Sequence, residues 1–153
     1  MRAIVLNLVA MLGLCLWQAS TAEPLANHRF TAVNIYLETA EPVAAWQFEL
    51  DDRRGQTKIV GVENGESAAF RDTPYYDREA VRLGMADRIV VADFSLEEPA
   101  KLPTGRIRIA TLHLATAGKD EPAFDVDLVT AVTHDGRPID ASISIVLQEE
   151  GMQ

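Results

Sequence analysis

Apolar side chains recur at every second position through most of this chain, a period that builds strands with one buried face and does not build amphipathic helices. Val33, Ile35 and Leu37 alternate with Asn34, Tyr36 and Glu38. Ala44, Trp46, Phe48 and Leu50 alternate with Ala45, Gln47 and Glu49. Further strands are expected over Thr57–Val62, Arg88–Phe94, Arg106–Ala115, Phe124–Val132 and Ile139–Leu147. Turn residues separate them: Pro42, the Asp51–Gly55 stretch, Asn64-Gly65, Pro103-Thr104-Gly105 and Asp135-Gly136. In Arg106–Ala115 the apolar phase moves from Ile107 and Ile109 to Ala110, Leu112 and Leu114. Such a shift predicts a bulge or a strand buried on both faces. Asp77–Leu83 is long enough for a helical turn only. Seven to nine short strands without an amphipathic helix make an all-β antiparallel β-sandwich.

The first 22 residues stand outside this pattern. Arg2, an apolar run over Ala3–Trp17, and small residues at Ser20 and Ala22 form the sequence of a Sec-type signal peptide, with cleavage expected after Ala22. The apolar run is short for a membrane span, so no stable membrane insertion is expected after cleavage. The expected organisation is a signal peptide at 1–22, a lead-in at 23–29, the sandwich at 30–148 and a polar tail at 149–153. The single cysteine, Cys15, lies in the apolar run after Leu14, where a lipidated cysteine would follow a small residue. The processed chain would then hold no cysteine, which rules out disulfides and thiolate chemistry. The expected compartment is the periplasm or the extracellular space.

The formal net charge is −9, and Arg2 is the only charge in residues 1–22. The processed domain is therefore still more acidic, which excludes the cationic surface that nucleic acid requires. His28, His113 and His134 have no spacing that assembles a zinc site. Asp72 and Asp77 flank an aromatic loop but lack calcium-loop spacing, and Asp51-Asp52 caps a turn. No nucleophile elbow, phosphate loop or other catalytic set is present. No metal, cofactor or catalytic residue is expected, and the function classes left are those of a non-catalytic binding module.

Trp46 shares its phase with Phe48 and Leu50 and belongs in the core. Tyr75-Tyr76 follows Pro74 in an irregular loop, where an exposed ring can anchor a protein or stack on a sugar. Tyr36 sits on the polar face of its strand.

Four stretches in order resemble cohesin-like domains and the carbohydrate-binding modules that share their sandwich. They are Val33–Leu37, then Pro42–Leu50, then Arg88–Phe94 with Leu102–Gly105 and Ile109–Leu112, and finally Ala131–Gly136 with Ile139, which looks like a closing hairpin. The resemblance spans residues 31 to 147 and implies a cohesin-like jelly roll. It further implies binding to a dockerin-like protein partner through a sheet face, or binding to a polysaccharide. The polar residues Asn34, Tyr36, Gln47 and Glu49 are the expected protein-binding surface. Tyr75 and Tyr76, with Tyr36, are the expected glycan-binding residues. A planar row of three exposed aromatics is not expected.

Overall fold

A computed structural model describes residues 28–118 and 123–148. The expected signal peptide, most of the lead-in and the polar tail lie outside the described residues. Among the described residues there are seven strands: β1 (His28–Thr39), β2 (Ala45–Asp52), β3 (Thr57–Asn64), β4 (Arg88–Phe94), β5 (Gly105–Ala117), β6 (Phe124–Val132) and β7 (Ala141–Leu147). One short helix, α1 (Arg78–Arg82), is capped by the Asp77 carboxylate, which accepts from the Ala80 N–H. The strands form two antiparallel sheets, ordered β3-β5-β1-β7 and β4-β2-β6. The chain is the all-β sandwich that its two-residue period predicts.

The sheets close on one core. Val33, Ile35 and Leu37 of β1 and Leu112 and Leu114 of β5 meet Trp46, Phe48 and Leu50 of β2 and Val91 of β4. Trp46 is stacked on Phe48 with ring centroids 5.8 Å apart, and Phe70 stands edge-on to it at 5.9 Å. Each such ring removes a large apolar area from water and is worth several kcal/mol, about 3–5 when truncated to alanine.

The phase change in β5 is a bulge. Ile35 pairs with Ala110 and Tyr36 with Arg108, which leaves Ile109 as the extra residue. The loop after β3 closes over it. The Glu66 N–H donates to the Arg108 carbonyl (2.9 Å), and the Glu66 carboxylate accepts from the Arg108 N–H (3.1 Å). Gly65 makes this approach possible, since a Cβ there would lie 2.1 Å from the Arg108 carbonyl oxygen. β5 is also buried on both faces over much of its length, as a strand flanked by β3 and β1 should be.

Two boundaries differ from expectation. β1 begins at His28, so the last two lead-in positions are already paired, His28 with Ala117 and Arg29 with Thr116. The closing hairpin is only local. Gly136 supplies the positive φ of the Thr133–Gly136 turn, and Val132 bridges Pro138. The chain then crosses over, leaving β6 in one sheet and β7 in the other. Pro138 lacks the N–H that a continuing ladder needs.

Candidate functional site

The expected protein-binding residues divide between two surfaces. Asn34 and Tyr36 project from β1 on the outer face of the four-stranded sheet. Gln47 and Glu49 project from β2 on the outer face of the three-stranded sheet. Since β1 and β2 turn Val33, Ile35, Leu37 and Trp46, Phe48, Leu50 toward one shared core, these two polar sets lie on opposite sides of the sandwich. The single surface expected from the sequence does not exist.

The four-stranded face is internally bonded. Thr111 donates to the Asn34 side-chain carbonyl (2.8 Å) and accepts from Arg108 (2.8 Å), while Arg108 also reaches the Asn64 carbonyl (3.2 Å). The Arg106 guanidinium lies over the Tyr36 ring, 3.7 Å from its centroid, which occupies one face of that ring by cation–π attraction. His113 pairs with Glu63 at 2.9 Å. His28 and His134 lie elsewhere, and among the described residues no group of three or more potential ligands is placed to hold a metal ion.

The three-stranded face has a different character. Val90, Ala92 and Phe94 of β4 point away from the core, opposite in phase to Ile89 and Val91. In β6 the register slips between Gln47 and Phe48, so Val129 bulges out and is 53% exposed. Gln47 sits between Ala92 and Thr130. Glu49 sits between Val90 and Asp127 and is bonded to Arg88, which holds its carboxyl below the usual range. Acids ring the β6 end: Asp125 pairs with Arg53, and Asp51 stands opposite it in the ladder.

The two loop tyrosines separate. Tyr75 exchanges both backbone hydrogen bonds with Ala92 (2.8 and 3.0 Å), extending the sheet beyond β4 by one residue. Its ring is 63% exposed and stacked on Phe94, itself 51% exposed, with centroids 5.9 Å apart and planes within 11°. Tyr76 is half-buried against the core, with Arg78 5.6 Å above its ring. Tyr75 is therefore available to a partner, and Tyr76 is largely committed to packing. Arg88–Phe94 is apolar in both phases, a pattern that means burial on both faces in β5 and exposure of Val90 and Phe94 in β4.

Beside Tyr75 lies a cavity of about 440 Å³, lined by the 68–73 loop and the end of β4 through Glu97. Asp72 and Asp93 both line it. Burial pushes the Asp93 carboxyl up, the Phe94 N–H opposes this, and the Asp72 charge adds to it.

No protein-family model and no curated protein sequence matches the chain. Solved structures do match in fold. The structure of a CaDoc0917–CaCohA2 complex at pH 5.5 is similar at 12% identity with a TM-score of 0.56, over 73% of this chain and 82% of that one. A type I cohesin–dockerin complex from Clostridium thermocellum, Coh-OlpC with Doc435, is similar at 11% identity and 0.53, over 77% and 84%. A non-cellulosomal cohesin from the hyperthermophilic archaeon Archaeoglobus fulgidus is similar at 11% identity and 0.51, over 81% and 85%. At such identities the likeness is one of fold, and the fold is a cohesin-like β-sandwich.

Proposed function

We propose that this cohesin-like sandwich is an exported, non-catalytic module that binds a protein partner of dockerin kind through the outer face of its three-stranded sheet. The observation that carries the reading is the exposed, stacked Tyr75–Phe94 ring pair at the β4 edge; the four-stranded sheet also exposes Phe30 and Val146, but without a ring pair among the described residues. Tyr75, Val90, Phe94 and Val129 lie on that face or along its edge, and Leu96 follows directly from β4. Exposed apolar and aromatic side chains set among charged ones mark an interaction site. Gln47 and Glu49 are the polar residues within it. Asn34 and Tyr36, bonded into the opposite face, are structural in this account.

Two further observations support the reading. Dockerins appear in complexes of similar fold. Among the described residues no helix is long and apolar enough to cross a membrane, which suits a domain released after removal of residues 1–22. Calorimetric titration of the processed protein with a type I dockerin module tests the proposal. Saturable 1:1 binding at micromolar or tighter Kd is expected; no heat at these concentrations across a panel of dockerins contradicts it. The second reading, a glycan stacked on Tyr75, is favoured only by the exposed Tyr75–Phe94 ring pair. It predicts retention on insoluble polysaccharide that Tyr75→Ala abolishes and Tyr76→Ala does not.

A further inference from the structure

The cavity beside Tyr75 contains a chemical imbalance that the sheet face does not explain. Asp93 points inward from β4 and is only 8% exposed. Its Oδ1 accepts from the Phe94 N–H at 2.8 Å. Its Oδ2 is buried without any hydrogen-bond partner among the described residues. Trp46, its neighbour across the β2–β4 ladder, likewise has a buried indole N–H with no acceptor. An unpaired oxygen on a buried carboxylate is unfavourable and calls for an explanation.

The charges around the cavity do not supply one. Asp72 stands close enough to raise the proton affinity of Asp93, and neither acid forms an ion pair with a described residue. Glu97 is neutralised by Lys101 at 3.1 Å. The one lining cation, Arg71, turns its Nε to the Ala68 carbonyl at 2.9 Å. The walls are apolar and aromatic: buried Phe70 on one side, Tyr75, Phe94 and the exposed Leu96 on the other. A neutral sugar would bring no charge to two acids that share a single lining cation, whereas a cation pairs with the acids and gains from the ring faces.

We infer that this cavity is the receptor for a basic side chain, lysine or arginine, presented by the protein partner. The inference rests on the protein-binding reading above and deepens it. The alkyl stem lies against Tyr75, Phe94 and Leu96. The charged head descends toward Asp93 and Asp72, and a small turn of the Asp93 carboxyl brings Oδ2 within its reach. The volume accommodates such a side chain together with its flanking backbone.

The test uses the processed protein labelled with 15N and the probe Nα-acetyl-arginine amide, with Nα-acetyl-citrulline amide as its uncharged isostere. Saturable shifts are expected at the Trp46 indole N–H and the amides of Asp93 to Leu96, with a Kd of about a millimolar for so small a ligand. Citrulline should bind about tenfold more weakly, as should arginine to Asp93→Asn, since each loses a charge-assisted hydrogen bond. Asp72→Asn, at an exposed position, should weaken arginine about threefold. Equal binding of citrulline, absence of saturation up to about 100 mM, or unchanged affinity in Asp93→Asn would each overturn the inference. Should Asp93→Asn fail to fold, Asp72→Asn decides, and an unchanged affinity there overturns it. Shifts at these resonances with cellohexaose but not with the arginine amide would reassign the cavity to a glycan. Because no partner is needed, failure here leaves the dockerin titration standing, and a failed dockerin titration leaves this result standing.

Discussion

The two outer faces of the sandwich are built from strands of the same period and have opposite chemistry. On the four-stranded sheet, outward side chains bond to one another: Thr111 joins Asn34 to Arg108, Arg106 covers Tyr36, and Glu63 meets His113. On the three-stranded sheet, Val90, Ala92 and Phe94 of β4 and the bulged Val129 stand beside Gln47, Glu49 and the acids of β6, and the ring of Phe94 stacks on that of Tyr75. A face whose polar groups are already satisfied gains little from a partner. A face that leaves valines and aromatic rings in water gains hydrophobic energy when covered. The difference favours the three-stranded side, with its stacked Tyr75–Phe94 pair, over a four-stranded side where the exposed Phe30 and Val146 accompany satisfied polar groups.

If the four-stranded face is structural, its substitutions should unfold the protein, and the largest effect belongs to Gly65. A methyl group there collides with the Arg108 carbonyl at the β5 bulge, and Gly65→Ala should cost about 3 kcal/mol in urea denaturation. Thr111→Val comes next. It removes both hydrogen bonds of a nearly buried hydroxyl and strands Asn34 and Arg108, at about 2 kcal/mol. Phe94→Ser, on the other face, should change stability by less than about 1 kcal/mol while weakening partner binding at least tenfold, as expected of an interfacial aromatic. A reversed ranking, with Phe94→Ser unfolding the domain and Thr111→Val silent, would break the comparison.

Legibility in the sequence follows the same division. Alternation gave the burial of Trp46, Phe48 and Leu50, the extents of β4 and β6, and the bulge at Ile109, because each depends on neighbours in the chain. It could not assign strands to sheets. β1 and β2 share one period and are separated by five residues, yet Ala40–Ala44 carries the chain from one sheet to the other. Alternation alone therefore puts Asn34 and Gln47 on one surface, when they face away from each other. The same blindness made β6 and β7 a hairpin. Pro74 and the irregular loop predict an exposed ring in the Tyr75-Tyr76 pair without saying which; the alignment of Tyr75 along Ala92 is a tertiary pairing with no local signature. The unpaired inward carboxylate oxygen of Asp93 is hidden for another reason: alternation turns the residue inward but does not show that the strand end borders a cavity.

The smallest effect is a matter of sign with pH. Arg88 lowers the Glu49 pKa, so that pair contributes above the ordinary glutamate range and fades as acid protonates it. Asp93 is shifted upward from 3.8, chiefly by burial. The folded state then holds that proton more tightly than the unfolded state, and stability is lost as pH rises from the ordinary aspartate range through the raised value. Relative to the unaltered protein, Asp93→Asn should therefore be more stable near pH 7 than near pH 3, as thermal melts at the two values would read. The opposite order would mean that the carboxylate is compensated in the folded protein by a group other than those around it here.

One pair of substitutions addresses the central claim directly. Val129→Lys places a charge on the exposed bulge of the three-stranded face, and Ser144→Lys places the same charge on the outer side of β7 in the four-stranded sheet. Measured as Kd for a dockerin-kind partner, Val129→Lys should lose at least tenfold and Ser144→Lys should stay within about twofold. Equal losses, or a loss confined to Ser144→Lys, would contradict the assignment of binding to the three-stranded face.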